Sequence, residues 1–310
     1  MVPGTAVVLA LVPLFFPPRP STPIQEGSQP VAPEDLDAAW ADGLAEVCGY
    51  RWKGARDGAV RTGEIVAILA TEPFSAVQHV RVDRPTEDVG EVITALRLEL
   101  LRSFRTGVTD VRATSSTYLR ADDLSPLKFT FSSSDWNGQT YEEIDVNLKA
   151  LALDVRSYLQ DESVRKTIAR KPDGLVGDQL FVWMRGLRGA PIEPGASKSV
   201  PLLTDAFERR ARHSEALWGI AVITRDAESA PHEVPAGTFP AIAYRIKTSD
   251  GRVGEVWIEE PSPHRVLAWK WTRLEELLDS AELTGTQRWK VREMLDDGQA
   301  VQRVALGLGD

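Results

Sequence analysis

The stretch "TALRLELL", residues 94–101, decides the fold class because its apolar residues recur at every second position. Leu96, Leu98 and Leu100 fall on one face of an extended chain, whereas Arg97 and Glu99 fall on the other. A period of two is typical of a strand with one buried face, and such strands build antiparallel sheets. The stretch therefore predicts a strand whose leucines enter the core.

Other runs repeat this rhythm, among them "LKFTFSSS" (127–134), "NLKALALDV" (147–155) and "HRVLAWKW" (264–271). The breaks between runs contain turn sequences such as "WNG", "KPDG", "PAG" and, most clearly, "SDGR" at 249–252. Strands do not alternate with helices, which disfavours a parallel doubly wound sheet. We therefore predict a mainly β (β-rich α+β) fold, in which roughly ten to fourteen strands form a strongly curved antiparallel sheet or half-barrel.

Helices are predicted only near the two ends. "APEDLDAAWADGLAEV" (32–47) has apolar residues at helical spacing and acidic residues in its first turn. "RLEELLDSAELTGTQRWKVREMLDDG" (273–298) predicts one or two short helices that stop at Gly298. "DQLFVWMRG" (178–186) alternates weakly and is predicted as a strand.

The N-terminal sequence indicates export. "TAVVLALVPLFF" (5–16) has the length of a signal-peptide core and is too short to cross a bilayer as a helix. We predict a signal peptide or N-terminal anchor at 1–20, a Pro-rich linker at 21–35 and location in a periplasm or cell envelope. An antiparallel β lobe is predicted at 36–190 and a second β lobe with C-terminal helices at 191–310. The stretch rich in Gly, Pro and Ser at 186–200 fits either a boundary between lobes or a loop within one continuous domain.

Composition excludes several classes of function. The net charge of -9 gives no general attraction to nucleic acid, so no nucleic-acid partner is predicted. The single cysteine, Cys48, excludes an intramolecular disulfide and is expected to be buried and inert. The sequence contains no phosphate-binding loop, no nucleophile elbow and no pair of histidines at metal-ligand spacing. No cofactor and no catalytic residue is therefore predicted, and enzymatic activity is not expected.

Three carboxylates, Asp122, Asp123 and Asp135, flank the run "LKFTF". Aspartate is favoured in turns because its side chain accepts hydrogen bonds from backbone amides that follow it. We interpret the three residues as hairpin corners. A minor hypothesis is a calcium site, which requires the two loops to converge.

Tryptophans are the most suggestive residues, since the chain has nine of them. The runs predicted as strands contain Trp183, Trp218, Trp257, Trp269 and Trp271. Aromatic side chains at these positions either fill a sheet core or line an apolar groove for a ligand. Trp269 and Trp271 share a face with Leu267, which favours the core, whereas Trp257 shares its face with Glu255 and Glu259, which favours exposure.

Two parts of the chain resemble exported bacterial proteins of unknown function. In the second half the matching pieces are "VPAGTF" (234–239), "EVWIEE" (255–260) and "PHRVLAWKW" (263–271). In the first half they are "AEVCGY" (45–50), "GEIVAILATEPFS" (63–75) and "FRTGVTDVRATSSTYLR" (104–120). Some of these proteins have a loose septum-formation label. The resemblance implies a fold similar to periplasmic lipoprotein carriers, with a curved sheet around a helix or an apolar ligand, and it transfers no site residue.

The sequence therefore predicts a non-catalytic binding or carrier module of the cell envelope. Its ligand would be a lipid or another apolar or amphiphilic molecule, bound by the five tryptophans. The first alternative is a structural module that contacts an envelope protein partner. A hydrolase or lyase that acts on envelope polymers through Asp or Glu is the weaker alternative.

Overall fold

The computed structural model describes residues 40, 42–84, 86–290 and 301–309, and within them sixteen strands form one large curved sheet that does not close. Most neighbouring strands are antiparallel, as the alternation predicts. The strands are β1 (Leu44–Arg56), β2 (Ala59–Ser75), β3 (Val92–Thr106), β4 (Thr109–Arg120), β5 (Pro126–Asp135), β6 (Gly138–Val146), β7 (Ala150–Ser157), β8 (Val164–Ala169), β9 (Leu175–Val176), β10 (Ser197–Leu203), β11 (Trp218–Arg225), β12 (Ala230–Val234), β13 (Gly237–Thr248), β14 (Arg252–Glu259), β15 (Val266–Arg273) and β16 (Glu276–Lys290).

The first and last long strands lie side by side in the middle of the sheet. The strand order is β8-β7-β6-β5-β4-β3-β2-β1-β16-β15-β14-β13-β11-β10-β9, and β12 pairs with β13. Because β1 pairs with β16, one continuous sheet includes strands from both halves of the chain. Only a short connection, residues 170–174, separates β8 at one edge from β9 at the other.

The alternating runs have the predicted buried face. Leu96, Leu98 and Leu100 are all buried, and the same holds for the equivalent apolar residues of β5 and β7. The turn "SDGR" joins β13 to β14, and Gly251 has the left-handed backbone conformation (φ 82°) that its turn requires. The predicted fold class is confirmed.

Three short α-helices and one 3-10 helix accompany the sheet in the described part. They are α1 (Gln179–Met184), α2 (Ala206–Ala211), α3 (Gln302–Ala305) and the 3-10 helix Glu87–Val89.

The strand prediction for 178–186 is wrong, because Gln179–Met184 form α1. Leu180, Phe181, Val182 and Met184 are all buried, so this helix is apolar around its whole circumference. A short helix of that kind has no polar face, and periodicity cannot distinguish it from a buried strand. Phe181 packs against Trp269 of β15, with ring centres 4.9 Å apart, so α1 lies inside the curved sheet.

The helix prediction for 273–298 is wrong over Glu276–Lys290, which form β16. Leucine and glutamate favour helices, but β16 gains a ladder of hydrogen bonds on both sides, from β1 and from β15. Its inward residues include Ala281 and Leu283, which are buried. The remainder of the predicted helix, 291–298, lies outside the described residues.

At the N-terminal end, Leu44–Val47 begin β1, although the predicted helix extends to Val47. The rest of that prediction falls mainly on residues outside the described part, as do the predicted signal segment (1–20) and the linker (21–35). None of the helices in the described part is long and apolar enough to span a membrane.

Candidate functional site: a cleft at the rim of the sheet

One end of the sheet, here called the rim, carries the turns that follow the odd-numbered strands β1, β3, β5, β7, β13 and β15. These turns meet at one end because antiparallel strands reverse direction at each step. The segment between β10 and β11, which includes α2, also begins and ends at the rim, since Leu203 pairs with Trp218.

A cleft of about 200 Å³ opens at the rim between the turns after β1, β5 and β7 and helix α2. Its apolar floor consists of Phe104, Phe131 and Phe207, and Tyr158 and Leu159 stand at its mouth. Ser133, Gln139 and Thr140 add polar groups to the wall. A concave apolar surface with a few polar groups is the usual form of a small-ligand site.

Phe207 of α2 is held in place by aromatic and cationic neighbours. Its ring contacts Trp52 edge-on at 5.9 Å and Phe104 at 6.4 Å between ring centres. The guanidinium carbons of Arg56 and Arg102 lie 4.0 and 4.6 Å from its ring centre, which is the range of cation–π contacts. The floor of the cleft is therefore rigidly packed from below.

The exposed groups of the cleft that can carry a charge near neutral pH are two carboxylates and His213, which contacts Glu162. Asp57 and Asp135 line it and are exposed, whereas Arg56 is buried beneath the floor. Arg210 is mostly buried, and it forms ion pairs with Glu142 (3.5 Å) and Glu162 (3.2 Å). A ligand that approaches from solvent therefore meets two exposed carboxylates that form no ion pair within the described part of the chain.

Glu162 fastens the loop after β7 to α2. It accepts a hydrogen bond from Ser157 Oγ at 3.0 Å, and its other carboxylate oxygen lies 2.5 Å from His213 Nδ1. Burial alone would raise the pKa of Glu162, but the hydrogen bonds from His213 and Ser157 and the charge of Arg210 lower it below its ordinary value. This clasp fixes the position of Tyr158 at the cleft mouth.

Large apolar side chains are exposed at several rim turns. The exposed fractions are 97% for Val108, 75% for Trp136, 78% for Tyr158 and 91% for Leu274. Leu274 and Glu275 also have left-handed backbone conformations, with φ of 49° and 68°. Glycine or asparagine is favoured at such positions. An exposed leucine therefore neither favours the turn conformation nor fills the core.

The predicted acidic corners are turns. Asp135 Oδ1 accepts the amide of Asn137 at 2.7 Å, and Asp123 Oδ1 accepts the amide of Ser125 at 2.8 Å. Asp122 and Asp123 precede β5 while Asp135 ends it, so the strand separates the two groups and they do not converge. Among the described residues, no group of three or more His, Cys, Asp or Glu side chains could hold a metal ion.

Two of the five tryptophans lie on the inner face of β15. Trp269 is buried, packs against Tyr50 at 5.1 Å and donates its indole N–H to Asp279. Trp271 is half-buried beneath the guanidinium of Arg252, at 5.3 Å.

The other three tryptophans are half-buried and lie apart. Trp183 belongs to α1 and lies near Lys198, Trp257 stacks on His232 at 4.5 Å, and Trp218 donates to the carbonyl of Ala169. Trp218 also lines a second, polar groove of about 260 Å³. The structure therefore does not gather the five tryptophans into one site.

Sequence reasoning missed the cleft residues Phe104, Phe207 and Tyr158. One signal for α2 was present, because Asp205 followed three positions later by Glu208 is an N-terminal helix signature. Asp205 indeed accepts the amide of Glu208 at 2.8 Å. The position of Phe207 under Arg56 depends on tertiary packing, which no local pattern encodes.

Cys48 is buried, as expected. Burial in the core raises the pKa of its thiol to about 12, so the thiolate needed for nucleophilic chemistry is strongly disfavoured.

Comparisons with known proteins establish no family for the chain. No protein-family model matches it, and no curated protein matches it. Among solved structures it is similar to a β-barrel-like protein of a domain of unknown function from Brucella abortus. The TM-score is 0.46 with 8% sequence identity, and the alignment covers 79% of this chain and 98% of that one.

Proposed function

We propose that the protein is a non-catalytic binding module that takes an amphiphilic ligand at the rim cleft. The observation that carries this proposal is a contrast between two spaces. The space between α1 and the sheet is about 20 Å³, whereas the rim cleft is about 200 Å³ and open to solvent.

The filled interior argues against a carrier with a central cavity. The 20 Å³ space has room for about one water molecule. A second interior space, between α2 and strands β4 to β6, is about 30 Å³. Side chains of α1 and α2 occupy the positions that a lipid chain would need, so interior binding would require both helices to leave.

The cleft favours a ligand with an aromatic or short aliphatic part and a cationic head. The apolar part would cover Phe131 and Phe207, with Tyr158 closing over it. The head would lie near the exposed carboxylates of Asp57 and Asp135. A cation there is favoured because the arginines of the cleft are buried or already paired.

Two fluorescent amphiphiles of opposite charge test this proposal. Dansylcadaverine carries an amine and anilinonaphthalene sulfonate carries an anion, and both have a fused aromatic ring. We expect saturable binding of dansylcadaverine and weaker binding of the sulfonate, measured by fluorescence titration at low salt. Preference for the sulfonate would contradict the proposed ligand class.

Adjacent serines on opposite faces of β5 provide a matched pair of variants. Ser133 lines the cleft, whereas Ser132 is exposed on the other face. Ser133→Trp should fill the cleft and abolish dansylcadaverine binding, and Ser132→Trp should leave it unchanged. Equal binding by both variants would place the ligand elsewhere.

A protein partner at the rim turns is a second candidate function, favoured by Leu274. An exposed leucine in a strained turn fits a contact residue better than a structural one, because strain retained at a surface often marks function. Titration of a Leu274→Asn variant with dansylcadaverine shows whether Leu274 contributes to the amphiphile site. Loss of probe binding is expected for Ser133→Trp but not for Leu274→Asn.

We also propose that the protein acts outside the cytoplasm, in a periplasm or cell envelope. The apolar run at 5–16 supports this, since it has signal-peptide length. A reporter enzyme that is active only after export, fused after residue 310, should be active with the full sequence. It should lose activity when residues 5–16 are deleted.

A further inference from the structure

The strand β8 forms one edge of the unclosed sheet. It pairs with β7 on one side, and in the sheet order no strand follows it on the other side among the residues that the structure describes. An open edge presents backbone donors and acceptors in the spacing that an added strand requires.

The register identifies which groups point outward. Arg170 N donates to Lys149 O at 2.9 Å, and Ile168 and Lys166 lie opposite Leu151 and Leu153. Hydrogen-bonded pairs alternate along an antiparallel ladder, so the backbone groups at even positions of β8 face β7. The N–H and C=O groups of Arg165, Thr167 and Ala169 therefore point away from the sheet.

Trp218 gives independent support for this direction. Its indole Nε1 donates to the carbonyl of Ala169 at 2.8 Å from the far side of the strand. The edge groups of Arg165 and Thr167 have no such partner within the described part of the chain. Both residues are exposed.

The edge is basic in an acidic protein. Residues 163–171, "SVRKTIARK", contain Arg165, Lys166, Arg170 and Lys171 and no acidic residue, whereas the whole chain has a net charge of -9. Arg165 pairs with Asp154 at 2.6 Å and Lys166 pairs with Glu215 at 3.0 Å, yet the side chain of Arg165 remains 70% exposed. Basic residues on an edge also discourage pairing with another basic edge, which disfavours a second copy of β8 as the occupant.

We infer that the free edge of β8 binds an extended acidic polypeptide segment by strand addition. The partner's backbone would bond the outward groups of Arg165 and Thr167, and its acidic side chains would lie near the exposed Arg165 and Lys171. This surface is separate from the rim cleft, so the inference does not depend on the amphiphile site.

The test uses a fluorescein-labelled heptapeptide of alternating glutamate and valine, with binding measured by fluorescence anisotropy at low salt. Thr167→Pro removes the outward N–H without removing a hydrogen bond to β7. An edge strand tolerates proline at a position of this kind, where the N–H faces solvent. Thr167→Val keeps the N–H and serves as its control. We expect the wild type and Thr167→Val to bind the peptide with the same affinity. Thr167→Pro should bind it more weakly, by about tenfold or by a larger factor.

A peptide with lysine in place of glutamate should also bind about tenfold more weakly. Should Thr167→Pro fail to fold, hydrogen exchange of the wild-type protein decides instead. The glutamate peptide should slow exchange at Thr167 while leaving Lys166 unchanged, because Lys166 already bonds β7.

Three results would overturn the inference. They are the absence of saturable binding of the glutamate peptide to the wild type, unchanged affinity in Thr167→Pro, and a wild-type dimer in sedimentation that Thr167→Pro disrupts. The last result would assign the edge to a second copy of the chain. Ser133→Trp should leave peptide binding unchanged, so failure here and failure of the cleft proposal are distinguishable.

Discussion

The guanidinium of Arg56, at the end of β1, lies 4.0 Å from the ring centre of Phe207 in α2. This contact joins the middle of the sheet to the segment that fills its interior, and Phe207 also forms part of the cleft floor. Packing of the core and shape of the candidate site therefore depend on the same side chain.

Phe207→Ala should destabilise the protein by about 3 to 5 kcal/mol, because it removes a buried ring and leaves Arg56 and Arg102 without their aromatic contact. Urea denaturation followed by tryptophan fluorescence measures this change. Phe207→Leu, which keeps most of the apolar volume, should cost clearly less. Similar costs for the two variants would show that the ring contacts contribute little.

The pair of Glu46 and Arg185 ties β1 to the end of α1. Both N–H groups of the Arg185 fork donate to Glu46, at 2.8 Å each, and both side chains are buried. Arg185→Met should destabilise the protein by about 3 to 5 kcal/mol because Glu46 is left as an unpaired buried charge.

The double variant Glu46→Leu/Arg185→Met should cost less than Arg185→Met alone, since neither charge then remains unpaired. A double-mutant cycle in urea measures this coupling. Strict additivity of the two single changes would contradict the account of a coupled pair.

Glu162 predicts a pH dependence of stability. Its pKa in the folded protein lies below the ordinary value of 4.5, so its contribution to stability is complete above that pH and is lost as the pH falls through the folded pKa. Glu162→Gln should therefore lose less stability than the wild type between about pH 5 and pH 3. Melting temperatures of both proteins across that range check this. If the two plots of melting temperature against pH run parallel, Glu162 does not contribute to the pH dependence of stability.

Leu274→Asn should stabilise the protein by roughly 1 kcal/mol, because asparagine adopts the left-handed turn conformation more readily than leucine. Thermal unfolding measures the gain. Val108→Asn, also at an exposed rim turn but at a position where φ is not positive, should leave stability nearly unchanged. A loss of stability in Leu274→Asn would mean that the leucine has a packing role.

Much of the sheet could be predicted from the sequence because its strands bury one face only. The alternation of Leu96, Leu98 and Leu100 predicts β3, and the turn residues of "SDGR" predict the β13–β14 hairpin. The prediction failed where the alternation was lost. Nearly every residue of α1 is buried, so its pattern is equally that of a strand.

The candidate site was less predictable than the fold. The sequence predicts that Asp135 is a turn residue, as the structure shows, but its place on the cleft wall depends on how β5 lies relative to α2. Phe207 and Tyr158 are distant in sequence and belong to segments without a strong pattern. A site that forms where separate turns meet has no local signature in the sequence.

Hydrogen exchange with and without dansylcadaverine tests the central claim most directly, because it locates the ligand without any substitution. Binding at the rim predicts slower exchange in segments 131–140, 157–163 and 206–213, with α1 and β15 unchanged. Slower exchange in α1 and β15 instead would show that the ligand enters the interior, and the cleft proposal would be wrong.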